Sequence, residues 1–219
     1  MIMTPNRFVS VIACVLAAWQ PSAAFAQEED VQLWVYALVQ GDLDEETRLT
    51  IDGSARWREQ RSGDEQQTLR FSIDRKAADG VRIGGGFGVF EASGGDTELR
   101  PHQAVTFTRG PITARTQIEQ RFFDGADRME LRFRQRVRYT QPLGRDWRGS
   151  IDGEYFNLVQ TRNRNSRVAR DQWRARMILT YWATEACSLG PGYLLIVTPQ
   201  PDGSEQINHV PQILVTQRF

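Results

Sequence analysis

The stretch MELRFRQRVRYT, residues 129–140, decides how this chain folds. Met129, Leu131, Phe133, Val137 and Tyr139 share one parity, and Glu130, Arg132, Arg134, Arg136, Arg138 and Thr140 share the other. A period of two marks a strand with one apolar and one polar face. Wound at 3.6 residues per turn, the same segment would scatter its arginines around the whole circumference, so it is not a helix.

The pattern recurs on both sides of this segment. Leu49, Ile51, Gly53, Ala55 and Trp57 oppose Arg48, Thr50, Asp52, Ser54, Arg56 and Arg58. Leu69, Phe71 and Ile73 oppose Arg70, Ser72 and Asp74. Ile112, Ala114, Thr116, Ile118 and Phe122 oppose Thr113, Arg115, Gln117, Glu119 and Arg121. Trp147, Ile151 and Tyr155 oppose Arg148, Ser150, Asp152 and Glu154. Trp173, Ala175, Met177, Leu179 and Tyr181 oppose Gln172, Arg174 and Arg176. Less regular strands fit 31–40, 81–90, 99–108, 189–198 and 207–219. These eleven segments are each about 10 residues long, the length a tilted strand needs to cross a bilayer.

Alternation alone does not say which face looks inward, since a soluble barrel or sandwich buries its apolar face and a membrane barrel turns it to lipid. Three features favour the membrane. The first is export. Residues 1–26 have the form of a cleaved signal peptide: Arg7, an apolar run from Phe8 to Trp19, and the small-x-small site Ala24-Phe25-Ala26. A lipoprotein reading around Cys14 is weaker, because only six residues, 8–13, separate it from Arg7, too short for a normal apolar region. Cleavage after Ala26 leaves residues 27–219 as one barrel domain with Cys187 as its lone cysteine, which excludes an internal disulfide. The second is the density of charge on consecutive polar faces, which suits a wet lumen.

The third is the rhythm of the connections. Short links at 75–80, 109–111, 141–146 and 183–186 alternate with longer polar links at 59–67, 91–98, 123–128, 159–171 and 199–206. Short periplasmic turns and longer external loops are what a transmembrane barrel shows. Tyr139, Trp147, Tyr181, Trp182 and Phe219 gather near the short turns, as an interfacial girdle would. The expected fold is therefore all-β, an antiparallel up-and-down transmembrane barrel in the bacterial outer membrane. One detail conflicts: residues 41–47 look like another short turn, so the first and eleventh segments run the same way. Single-chain bacterial barrels normally have an even strand count, so ten or twelve strands are expected.

Composition narrows function mainly by exclusion. The 27 basic and 27 acidic groups among 219 residues cancel, so no global field draws the chain to nucleic acid. Every basic residue is arginine except Lys76. The run Gly84-Gly85-Gly86-Phe87-Gly88 lacks the Lys-Ser/Thr and the helix of a phosphate loop, so its glycines are read as bending or close-packing positions. Only His102 and His209 could serve as a general base, with Ser93 or Ser204 as candidate hydroxyls. No nucleophile-elbow spacing supports a lipid hydrolase or acyltransferase. No cofactor or metal is expected.

The chain closes on Ile213, Val215 and Phe219 of one parity, which resembles the terminal signature that barrel-assembly machinery recognises; Gln217 departs from it. The chain also resembles the uncharacterised bacterial outer-membrane β-barrel family catalogued as domain-of-unknown-function family twenty-four ninety. The residues that carry this are Leu33-Trp34, RTQIEQR at 115–121, LRFR at 131–134, Glu154-Tyr155-Phe156-Asn157, Gln172-Trp173-Arg174 and the closing segment from Asn208-His209-Val210 to Phe219. The resemblance implies a barrel in the outer membrane and supplies no activity.

The polar faces then pose the functional question. An arginine turned to lipid costs roughly 2–4 kcal/mol at the bilayer midplane, so Arg115, Arg132, Arg134, Arg136, Arg174 and Arg176 are expected to line the lumen with Glu119, Glu130, Asp152 and Glu154. Two readings stay open. The arginines form an anion-attracting wall of a passive channel, or they pair with the carboxylates across strands and fill a narrow lumen. A third role, contact with lipopolysaccharide or another protein, would fall to the external loops, above all RNRNSR at 162–167.

Overall fold

The computed structural model describes residues 28–58, 64–95, 97–165, 170–200 and 202–219. The expected signal peptide, including Cys14, lies outside the described residues. Thirteen strands form one sheet: β1 Glu28–Val31, β2 Leu33–Asp42, β3 Thr47–Trp57, β4 Gln66–Ala78, β5 Val81–Ala92, β6 Glu98–Leu99, β7 His102–Arg109, β8 Ile112–Phe123, β9 Glu130–Pro142, β10 Trp147–Gln160, β11 Arg170–Trp182, β12 Cys187–Pro199 and β13 Glu205–Arg218. No helix occurs among the described residues.

The thirteen strands make eleven staves. β1 and β2 both pair with β13 and are interrupted only at Gln32, whose N–H still donates to the His209 carbonyl at 2.9 Å. β6 and β7 lie end to end between β5 and β8, interrupted at Arg100 and Pro101. Proline has no N–H to give a ladder, and Arg100 bridges the break by exchanging two backbone hydrogen bonds with Gly88. Consecutive staves are antiparallel throughout. With an odd number of alternating staves the first and last must run the same way, and β13 does pair with β2 in parallel, from Gln212 opposite Trp34 to Arg218 opposite Gln40. The count is thus eleven, against the ten or twelve expected from the even-number habit of bacterial barrels. The parallel run of the end segments, inferred from the short turn at 41–47, is what the seam uses.

Burial is inverted relative to a soluble protein. Ile51, Phe71, Ile118, Val137 and Met177 lie on the outer face, each 39–49% exposed. On the inner face Asp52, Glu119, Arg132 and Asp152 are at most 8% exposed. Backbone donors and acceptors are paired around the whole ring, so an apolar exterior can face hydrocarbon without an open edge. The chain is a transmembrane barrel of the expected class.

All the short connections lie at one end of the barrel with the C-terminus, and the longer ones lie at the other end. Trp147 and Tyr181 face each other in register on β10 and β11, with ring centroids 5.0 Å apart, and stay exposed as a girdle pair. Trp182 departs from the expected girdle: its parity turns it inward, where it lines the lumen mouth.

Two glycines are fixed by close approach. A Cβ on Gly190 would sit 2.0 Å from the Leu179 carbonyl oxygen, and one on Gly86 would sit 2.1 Å from that of Phe71. Gly190→Val should therefore break the β11–β12 ladder locally and destabilise the barrel by about 1–3 kcal/mol or more. The temperature of sample pre-heating at which the folded band shifts on a gel would drop; an unchanged temperature would contradict the close packing.

Candidate functional site: an arginine-lined lumen

The inner face of β9 carries Glu130, Arg132, Arg134, Arg136 and Arg138 in an unbroken parity run. Register decides what each meets. On β8, Glu119 stands opposite Arg132, Gln117 opposite Arg134 and Arg115 opposite Arg136. On β10, Phe156 stands opposite Arg134, Glu154 opposite Arg136 and Asp152 opposite Arg138.

Glu119 is the hub. Arg132 donates to its Oε2 through Nε at 2.8 Å and Nη2 at 2.6 Å, Arg134 donates to Oε1, and Gln117 adds a bond at 2.9 Å. Arg132 also reaches Asp171 at 2.8 Å, and Arg134 reaches Glu154 through Nη2 at 2.6 Å. Towards the loop end, Arg100 and Arg121 each grip Glu98 through two nitrogens, at 2.7 and 2.7 Å and at 2.6 and 3.0 Å. Arg121 also donates to Glu130. Lower down, Asp152 accepts from both Arg138 and Arg176 at 3.1 Å. On the β3–β4 wall Arg70 donates to Asp52 at 2.7 and 2.5 Å. Forked contacts of this kind tie neighbouring staves together across the ladder.

The expected lumen residues are brought to the inner face, but their pairing differs from the expected set. Arg132, Arg134, Glu119 and Glu154 do interlock. Glu130 instead pairs with Arg121 and Asp152 with Arg138 and Arg176. Arg174 forms no ion pair among the described residues: its Nε donates to Gln172 at 2.7 Å, and its guanidinium lies 4.5 Å from the centre of the Phe156 ring. Arg115 comes no nearer a carboxylate than 4.0 Å, at Asp74, and Arg136 has no ion-pair partner among the described residues. Glu98, Arg100, Arg121, Arg138 and Asp171 were not expected in this role. Arg121 and Arg138 follow from parity alone, whereas Glu98 and Asp171 sit at the edges of what read as loops.

The lumen is not uniformly polar. Trp34 on β2, Leu194 and Ile196 on β12 and Val210 on β13 pack into a buried apolar cluster beside the seam. Phe156, fully buried, is covered by the guanidiniums of Arg132, Arg134 and Arg174 at 4.5–5.1 Å. Arg56 stacks 4.3 Å over Trp34. Guanidiniums favour such aromatic faces.

This layer separates two spaces. The larger, about 470 Å³, lies on the short-turn side, and its lining carries nine arginines against four carboxylates. The smaller, about 220 Å³, lies on the loop side between Trp34, Arg56, Arg58, Arg174 and Asn208.

Neither histidine meets its candidate serine. His102 is buried on the lumen wall with Nε2 3.3 Å from Ser72 Oγ, and His209 Nδ1 lies 2.5 Å from the Tyr193 hydroxyl. No group of three or more metal-ligating side chains occurs among the described residues. In the loop run, Arg162 stacks 4.6 Å over Phe123 and the Arg164 N–H lies 3.4 Å from Asp127; residues 166–169 lie outside the described residues. At the terminus the Phe219 N–H donates to Gln40 at 3.2 Å across the seam, with its side chain 64% exposed.

The solved structure described as "NanC porin structure in rhombohedral crystal form" is similar at a TM-score of 0.52 and 10% identity, covering 76% of this chain and 87% of that one. The KdgM porin is similar at 0.48 and 12% identity, covering 73% and 81%. No curated protein matches. The family model described as "Protein of unknown function (DUF2490)" matches residues 31–208, and the chain belongs to that family.

Proposed function

We propose that this protein is an outer-membrane barrel that passes small anions passively, through a lumen narrowed at one level by Phe156, Trp34 and their arginines. The observation that carries this reading is the charge of the larger space. A chain with no net charge concentrates nine arginines and four carboxylates on one enclosed wall. Low-dielectric walls focus the field of such a cluster, raising the local concentration of anions and excluding cations. The apolar exterior and the asymmetry of turns and loops support a periplasmic short-turn end and an external loop end. Phe219, exposed beside the seam, would present the assembly signal, and lipid with lipopolysaccharide would surround the barrel.

The test is halide entry into vesicles. Mature protein refolded into lipid vesicles that enclose a halide-quenched dye should quench it faster on addition of chloride than protein-free vesicles do. Equal rates from demonstrably folded protein would sink the reading.

A further inference from the structure

We infer that Arg115 and Arg136 together form a binding site for a small oxyanion inside the larger space. The two stand directly opposite each other in the β8–β9 register and share the inner face. Like charges in that position repel and would normally be separated by a bridging carboxylate. Among the described residues no carboxylate forms an ion pair with both. Glu154, the other register neighbour of Arg136, is engaged by Arg134 at 2.6 and 3.1 Å. Asp74 reaches Arg115 only at 4.0 Å, and Arg115 spends its Nε on Gln117 at 3.1 Å. The Arg136 side chain makes no hydrogen bond or ion pair among the described residues, although Arg134 and Arg138 on the same strand are both carboxylate-paired. Both guanidiniums line the 470 Å³ space, so a solute can reach them.

Two guanidiniums opposite in register on one lumen wall, neither held by a close carboxylate, match a group with several oxygens, such as a carboxylate or phosphate, better than a monatomic halide. The inference rests on the reading of this space as an anion path, since it names where along that path an oxyanion pauses. Binding and transport can nevertheless fail separately.

The experiment titrates folded, vesicle-embedded barrel with inorganic phosphate and, separately, with acetate, following heat of binding. Arg136→Gln and Arg115→Gln should each weaken the affinity roughly tenfold or more, while Arg109→Gln, an exposed residue by a turn, changes nothing. Removing Arg136 takes out a charge that has no ion-pair partner among the described residues and stands opposite Arg115 in register, so its variant should fold at least as well as the parent. Loss of binding in the double variant for either anion supports the site, even if the barrel conducts nothing, in which case the transport reading alone falls. No binding of either anion to the parent, or equal binding to the double variant, overturns it whatever the conductance.

Discussion

Glu119→Gln should lower the stability of the folded barrel by about 3–5 kcal/mol, the cost of leaving buried charges uncompensated. Glu119 is 1% exposed and holds two guanidiniums at once, those of Arg132 and Arg134. Glutamine keeps the shape but removes the charge, so both cations stay buried with one carboxylate each in place of two. Arg132 keeps Asp171 and Arg134 keeps Glu154, which places the loss within that range instead of beyond it. The measurement is the urea midpoint of unfolding from lipid vesicles, read with an unchanged slope. Combining Glu119→Gln with Arg132→Met should recover part of the loss, because an apolar replacement removes one of the stranded charges. A loss under about 1 kcal/mol would mean that the mesh is hydrated and screened like a surface ion pair.

Phe156→Ala should change transport more than any other single substitution. The ring is fully buried in the layer that divides the two spaces, with three guanidiniums over it. Truncating a buried Phe in a dry core costs about 3–5 kcal/mol. Here the void is lined by Arg132, Arg134 and Arg174, so water can enter and the cost falls to the lower end of that range. The same water joins the 470 and 220 Å³ spaces, and single-channel conductance should rise several-fold. Phe122→Ala removes an equal ring from the outer face, where Phe122 is 46% exposed, and should leave conductance unchanged. Equal conductance of the Phe156 variant and the parent would show that the constriction lies elsewhere.

The architecture is legible in the sequence because alternation survives in almost every stave: 129–140 reports its own two faces without help from neighbours. The parallel seam is legible too, since the short turn at 41–47 settles the direction of the first stave. The even count failed because it describes the habit of most bacterial barrels; a parallel pair satisfies backbone hydrogen bonds as well as an antiparallel one. The pairing of charges is not legible, because parity says which side chains share the lumen while register says which of them meet. Arg136 and Arg134 have the same sequence context, yet only Arg134 finds a carboxylate. Trp34 and Phe156 lie on polar-face parity, and their inward role becomes visible only when the opposite wall is in place. Glu98 and Asp171 were hidden for a simpler reason: each sits where a strand runs into a connection.

The most direct test of whether the lumen is an anion-preferring path is the reversal potential of the refolded protein in a planar bilayer under a potassium chloride gradient. Discrete steps are expected, with a reversal potential displaced towards chloride equilibrium, more strongly at low salt where screening is weak. Displacement towards potassium equilibrium, or silence from folded parent and Phe156→Ala barrels alike, would contradict it.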